Sequence, residues 1–249
     1  MSKLNTNSNA YIIIYSAILG VIVAFLLAFV FQALKPMQDA NVALDVKKQI
    51  LYSLNIRDLD GAEAEAKYAE VVKEEMDVAD RKVYVCSVDE ETVVVASMKG
   101  MGLWGGISGF LAIHADENTG EPVVYGAYFN HESETAGLGA EIKDSQAWQE
   151  KFIGKRVFGL DGSVKLSVVK KVEDPTTQVD VVTGATLTSN GVDAMIKESI
   201  NLIFGQGDEN QGDNLNINTL MMKADLDAAT RAEQQEDEET DNNITEEED

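Results

Sequence analysis

The stretch KVYVCSVDEETVVVAS, Lys82–Ser97, decides the fold. Valine, tyrosine and threonine crowd both halves, and these are the side chains that fit a pleated, half-buried surface. Asp89-Glu90 interrupts the run as a turn signal, so the stretch reads as two strands, 82–88 and 91–97, folded back on each other.

The pattern extends outward in both directions. Downstream, ISGFLAI (107–113) and PVVYGAYF (122–129) are further β-rich runs, set off by glycine and by Asn118-Thr119-Gly120. DSQAWQEKFI (144–153) reads as a helix capped by Asp144 or Ser145, and SVKLSVVK (163–170) alternates as a strand. NGVDAMIKESINLIF (190–204) is an amphipathic helix, with Val192, Met195, Ile196, Ser199 and Ile203 on or beside one face. Upstream, NVALDVKKQILYSLNI (41–56) and GAEAEAKYAEVVKEEM (61–76) read as two helices. This order gives an α+β fold with a mostly antiparallel sheet and flanking helices, since regular βαβ repeats are missing. The folded domain is assigned to 81–204 and the helices before it to 35–80.

Before them lies AYIIIYSAILGVIVAFLLAFVFQAL, Ala10–Leu34, which is uncharged and almost wholly apolar. It exceeds the roughly 20 residues a helix needs to cross a bilayer. Tyr11 and Tyr15 near one end and Lys35-Pro36 at the other suit the interfaces. The run is long for a signal-peptide core, and Met37-Gln38-Asp39 offers no small-x-small cleavage site. A single-pass anchor follows, preceded by a short tail, 1–9. Only Lys3 precedes the span, while Lys35, Lys47 and Lys48 follow it, so the lysine count slightly favours a cytoplasmic domain.

The net charge of -23 argues against nucleic acid, whose phosphates would be repelled. Much of it sits in EQQEDEETDNNITEEED, Glu233–Asp249, and from about Gly205 no core periodicity survives. Residues 205–249 therefore read as an acidic, disordered tail. Cys86 is the only cysteine, which excludes an intrachain disulfide and any cysteine-built zinc or iron–sulfur site. Within KVYVCSV it reads as a buried structural thiol.

Three stretches hold candidate site residues. GMGLWG, Gly100–Gly105, matches the dinucleotide pattern G-x-G-x-x-G, but a strand and not a helix follows it, so the pyrophosphate-binding helix end is missing. The better reading is a glycine-rich loop presenting Leu103 and Trp104, with Trp104 either against a planar ligand or in the core. In NHESETAGLGAEI, Asn130–Ile142, one histidine and the acids Glu132 and Glu134 are too few for a metal centre, and only His114 remains elsewhere. Nor does a nucleophile complete a triad with His131. Thr135, Gly137, Leu138 and Gly139 instead suggest a hydroxyl and bare backbone open to a ligand. DVVTGATLTS, Asp180–Ser189, sets Thr183, Thr186 and Thr188 around Gly184 and Ala185, with Leu187 among them, before a helix starting near Gly191. Ser189 or Asn190 would cap that helix, and its N-terminus would favour a phosphate.

Together these residues resemble the C subunit of the sodium-translocating NADH:quinone oxidoreductase. Asp180-Val181-Val182-Thr183-Gly184-Ala185-Thr186 fits the signature D-x-x-[ST]-G-A-T that a flavin transferase recognises in that family. KGMGLWGGISGFLAI and HESETAGLGAEI resemble its other flavin-domain segments, in the same order. The resemblance implies FMN carried covalently through a phosphoester on Thr186. It implies cofactor contacts from Asp180, Thr183, Gly184, Ala185, Leu187, Thr188, Leu103, Trp104, Glu134, Thr135, Gly137, Leu138 and Gly139. It also implies an electron-carrying member of an inner-membrane complex that oxidises NADH, reduces a quinone and exports sodium. Neighbouring subunits would hold the iron–sulfur and other flavin centres, and the flavin domain would face the periplasm, where the transferase works. Two features depart from the family: Ala136 stands where proline is usual, and the acidic tail has no counterpart. The signature is shared with the G subunit of Rnf-type electron-transport complexes, which is one alternative. An anchored, non-redox binding or adhesion module is another.

Overall fold

The computed structural model describes residues 8–205, 215–223 and 226. The chain divides into two units, Met1–Val46 and Lys47–Asp249. The apolar run forms helix α1, Asn9–Ser53, with Pro36 inside it. The anchor and the first of the expected juxtamembrane helices are thus one helix. The large apolar side chains between Ile12 and Leu34 are exposed. This helix is long and apolar enough to cross a membrane, a test that a signal sequence also passes.

In the second unit, Asp60 starts α2, Gly61–Val71, through a reciprocal cap. Its carboxylate accepts from Glu63 N at 2.8 Å, and Glu63 accepts from Asp60 N at 3.0 Å. The helix ends at Val71, earlier than the run 61–76 suggests, and VKEEM opens strand β1, Val72–Val78. Pairing decides this. Met76 and Val78 pack on the core, while Glu75 forms an ion pair with Lys82 on the exposed side. Charge on an edge strand also discourages pairing with another chain.

Strands β2 (Arg81–Val88), β3 (Glu91–Met101), β4 (Gly106–Ala115) and β5 (Pro122–His131) complete an antiparallel meander in the order β1-β2-β3-β4-β5. The turn between β2 and β3 holds Asp89 and Glu90 at φ values of 50° and 70°, the mirror-image geometry that suits strand twist. One sheet face carries Val83, Val85, Val94, Ala96, Met98, Leu111, Ile113 and Phe129 into the main core. The other buries Tyr84, Cys86, Val95, Phe110 and Tyr128. The end of α1 lies on that second face: the Tyr52 and Tyr128 rings are 5.3 Å apart, and Asn55 Nδ2 donates to Tyr125 O at 2.9 Å. Burial pushes the Cys86 thiol up to about 12, as expected of an unreactive structural cysteine.

Past the sheet, DSQAWQEKFI does not form one helix. A short helix, α3 (Glu141–Asp144), ends where this stretch starts, and the stretch itself divides into α4 (Gln146–Gln149) and a 3-10 turn, Glu150–Phe152, with Ser145 capping Trp148 N at 3.3 Å. The break lets Trp148 and Phe152 both pack at a tilt against Phe129, at 5.5 and 5.1 Å between centroids. Of SVKLSVVK only β6, Ser167–Val169, joins a ladder, parallel to β7, Gln178–Asp180. Helix α5, Thr186–Phe204, then lays Val192, Met195, Ile196, Ile200 and Ile203 on the core.

The tail needs a correction. Residues 217–223 are helical, and Ile217, Leu220 and Met221 are buried within the main core. Leu215 N donates to Ile203 O at 2.9 Å, tying this segment to the end of α5. Four apolar residues in LNINTLMM are enough to dock it, a periodicity too short to stand out beside the acids. Residues 206–214, 224–225 and 227–249, also expected to be disordered, lie outside the described residues.

Candidate functional site

The β3–β4 connection brings the first element. Met101 pairs with Gly106 and Gly102 N donates to Gly105 O at 2.9 Å, so Leu103 and Trp104 form the tip of a tight hairpin. No helix follows, which removes the dinucleotide reading structurally as well. Trp104 is 67% exposed and Leu103 47%, so Trp104 does not belong to the core.

The loop after β5 meets this tip. Ser133 Oγ donates to Trp104 O at 3.1 Å, and Glu132 N donates to Gly106 O at 3.0 Å. Glu134 is the centre of the contact. Its Oε1 accepts from Trp104 N at 2.8 Å, and its Oε2 accepts from Thr188 Oγ1 at 2.7 Å. Burial pushes the Glu134 carboxyl up, but the amides of Trp104, Leu103 and Gly105 and the Thr188 hydroxyl together hold it below the ordinary range. His131 Nδ1 accepts from Glu134 N at 3.2 Å, so that nitrogen carries no proton in this arrangement. The loop then turns on the Thr135 carbonyl, which takes the amides of Leu138 and Ala140, both at 3.1 Å.

The third element is the turn into α5. Ala185 N donates to Val182 O at 3.0 Å, and Gly184 has φ +78°, a backbone state that favours glycine. The helix begins at Thr186, five residues before the expected start near Gly191. Ser189, expected as a cap, instead accepts from Val182 N at 3.1 Å and folds the turn against its own helix. Ala185 occupies the cap position and supplies no side-chain hydrogen bond, and no acid lies in the first turn. The positive end of a long helix is thus presented without a local anion.

Between these elements lies a cleft of about 250 Å³, lined by Leu103, Trp104, Glu134, Thr135, Leu138, Gly139, Gly184, Ala185, Thr186, Leu187 and Thr188. Asp180, Thr183 and Gly137 are expected site residues that do not line it. The Asp180 carboxylate is held by Lys151 Nζ, 2.9 Å from each oxygen, and its carbonyl accepts from Trp148 Nε1 at 2.8 Å. Gly137, at φ +72°, shapes the loop. The three threonines differ sharply. Thr183 is exposed outside the cleft, Thr188 is buried against Glu134, and Thr186 is half-buried in the wall. Ser133, Ser189, His131 and Lys151 hold the site together, yet only the three-residue step from His131 to Glu134 hints at this locally. Among the described residues no three histidine, cysteine or acidic side chains gather as metal ligands.

Residues 102–201 match the FMN-binding domain family. The C subunit of Na(+)-translocating NADH-quinone reductase from Haemophilus ducreyi is 42% identical over 135 residues, covering 53% of this chain and 46% of its own. That from Neisseria meningitidis serogroup A is 39% identical over 138 residues, covering 54% and 47%. The crystal structure of the Parabacteroides distasonis homologue of this subunit superposes with a TM-score of 0.60 at 34% identity, over 68% of this chain and 94% of that one. The chain belongs to the family of C subunits of the Na(+)-translocating NADH-quinone reductase. Shewanella oneidensis NqrC, at 20% identity and a TM-score of 0.50, shares the fold. The matched segment spans less than half the length of the curated relatives.

The cleft suits the family's flavin mononucleotide. Leu103, Trp104, Leu138 and Leu187 are apolar and exposed around its mouth, as a flat ring requires. The uncapped start of α5 suits a phosphate. Gly139 and Gly184 also line the wall, and the missing side chain at Gly139 makes room for Glu134 and Thr188.

Proposed function

We propose that this chain is a single-pass, membrane-anchored electron carrier with one FMN joined through its phosphate to Thr186. It would serve a complex that oxidises NADH, reduces a quinone and exports sodium ions, beside subunits that hold iron–sulfur and further flavin centres. One observation carries the attachment site. Of the three threonines in the run, Thr186 is the one that stands both in the cleft wall and at the first position of α5. Thr188 already donates its hydroxyl to Glu134, and Thr183 lies outside the cleft.

The flavin, when attached, supplies the redox chemistry, and the chain supplies placement and electrostatics. The N–H groups at the start of α5 favour the phosphate end. Leu103, Trp104 and Leu138 shield the ring from water on the apolar side. Gly184 and Ala185 leave Thr186 approachable by a modifying enzyme as bulky as a flavin transferase.

The same reading places the domain in the periplasm and the amino terminus in the cytoplasm. Lys35 follows the apolar run and can snorkel to the outer interface. A domain of this length is also less sensitive to the charge rule. Protease added to intact spheroplasts should then digest the flavin-bearing domain, and protection until lysis would reverse the orientation.

Ultraviolet illumination of a denaturing gel tests the attachment. The wild-type chain and Thr183→Ser, which keeps the hydroxyl of the signature, should fluoresce, and Thr186→Ala should be dark while remaining folded. Fluorescence retained in Thr186→Ala would overturn the assignment.

A further inference from the structure

Both walls of the cleft hang on one side chain. Glu134 Oε1 takes the amide at the tip of the β3–β4 hairpin, and Oε2 takes the hydroxyl of Thr188 in α5. The hairpin tip and α5 meet there through a carboxylate that belongs to neither. Glu134 is 8% exposed and Thr188 2%, so the arrangement is built into the fold and is not a surface contact.

The surrounding glycines show how closely the carboxylate is fitted. A Cβ on Gly102 would strike Glu134 Oε1. A Cβ on Gly139 would lie 2.5 Å from Glu134 Oε2 and 2.6 Å from Thr188 Oγ1. Two separate stretches therefore leave out a side chain where the acid sits. From behind, His131 Nδ1 fixes the backbone of the same residue at 3.2 Å. Glu132 is engaged elsewhere, accepting from Gly106 N at 3.3 Å, so it does not substitute for Glu134.

We infer that Glu134 is a positioning residue, a two-sided clamp that holds Leu103 and Trp104 at a set distance from the first turn of α5. What the cleft receives rests on the flavin reading above, but the clamp is a property of the chain itself. Its role is to keep the apolar wall and the Thr186 wall apart and aligned. A carboxylate suits this because it accepts on both oxygens and needs no proton to do so.

The groups facing Glu134 define its response to acid. They are the amides of the hairpin tip, the Thr188 hydroxyl from α5, and His131 and Glu132 from its own side of the cleft. Protonating the carboxyl removes one acceptor position. Glu134→Gln removes that proton site and keeps the length of the side chain.

The experiment uses the full-length protein in detergent, in a Thr186→Ala background so that no attached flavin quenches tryptophan. Amide exchange at Trp104 is compared at pH 7 for Glu134, Glu134→Gln and Glu134→Ala. Emission from Trp104 is isolated by subtracting the Trp104→Phe spectrum and is titrated from pH 7 to 3. Glu134→Ala should exchange the Trp104 amide roughly tenfold to a hundredfold faster, the range for losing a hydrogen bond to a charged group. Glu134→Gln should keep the protection, because its amide oxygen can accept from Trp104 N and its nitrogen can donate to Thr188. It should lose the acid step in Trp104 emission that the parent shows below the ordinary carboxylate range. Unchanged exchange in Glu134→Ala with a native far-ultraviolet spectrum would overturn the clamp, and so would a step below the ordinary carboxylate range that persists in Glu134→Gln. If Glu134→Ala does not fold, the glutamine titration decides alone. In-gel fluorescence of the otherwise wild-type chain reports separately on the flavin, so the two readings fail independently.

Discussion

Lys151 Nζ lies 2.9 Å from both carboxylate oxygens of Asp180, the first residue of the run that ends at Thr186. The pair is half exposed, with side-chain accessibilities of 45% and 49%. An ion pair of this kind contributes about 0–1 kcal/mol, because water screens it and two long side chains must be ordered. The neighbouring bond from Trp148 Nε1 to the Asp180 carbonyl, at 2.8 Å, comes from a buried indole packed tilted against Phe129 and edge-on to Phe152. We therefore expect Lys151→Met to change unfolding free energy by less than about 1 kcal/mol, and Trp148→Ala to cost about 3–5 kcal/mol. Urea titration followed by far-ultraviolet dichroism separates them, and equal losses would contradict this ordering.

Thr188→Val should be most harmful at neutral pH. The substitution keeps the shape and removes the donor to a buried, ionised Glu134, a loss of roughly 1.5–3 kcal/mol for a bond to a charged group. The sign of the pH dependence follows from the Glu134 carboxyl being held low in the folded protein. Stability from such a group is present above its unfolded-state pKa and disappears as pH falls through the lower, folded-state value. The gap between wild type and Thr188→Val should accordingly narrow in acid, below the usual carboxylate range. Denaturant titrations at pH 7 and pH 3 measure it, and a gap that widens in acid would contradict the assignment.

Gly184→Ala tests the turn that presents Thr186. Its φ of +78° suits glycine, and an added Cβ would lie 2.9 Å from Leu138 Cδ2. The conformational strain amounts to about 1–2 kcal/mol, and the Leu138 wall must move as well. Gly120→Ala is the control, with φ +68° and nothing within 4 Å of the new carbon. Both variants should melt earlier than wild type, but only Gly184→Ala should also take up flavin more slowly in a time course of in-gel fluorescence. Equal flavin uptake by the two would mean that the turn does not govern access to Thr186.

The parts of the molecule legible in the sequence are those buried over several consecutive residues or along one helical face. Strands β2 to β5 read as apolar, β-rich runs between turn residues because both faces of the sheet are covered, and the body of α5 carries its apolar residues at helical spacing. β1 is hidden since Lys73, Glu74 and Glu75 extend the charged pattern of α2, and only pairing with β2 makes them a strand. The start of α5 is hidden for a different reason. Threonine and serine read as caps, yet Thr188 and Ser189 turn their hydroxyls to Glu134 and Val182 N. Glu134 shows only its three-residue step from His131 locally, because the partners of its carboxylate lie 30 and 54 residues away. The signature Asp180–Thr186 is visible, but which threonine faces the cleft depends on where the helix begins.

The tail segment offers the sharpest stability test. Leu215 is bonded to the end of α5, and Ile217, Leu220 and Met221 are 6%, 8% and 4% exposed within the core. Burying each side chain is worth roughly 1.5–3 kcal/mol before ordering costs are subtracted. A chain ending at Gly205 loses all three and uncovers the core residues beneath them, including Ile203 and Phe204. It should therefore be less stable by about 2–5 kcal/mol, in the range of a lost large core side chain. A chain ending at Leu226 keeps these contacts and should melt close to wild type, even though the whole acidic block, Glu233–Asp249, is gone. Thermal melts of the two truncations, read by dichroism, give the comparison. If ending at Gly205 leaves the melting temperature unchanged, residues 215–223 contribute nothing to the fold. If ending at Leu226 destabilises as much as ending at Gly205, the acidic block and not the docked segment stabilises the domain.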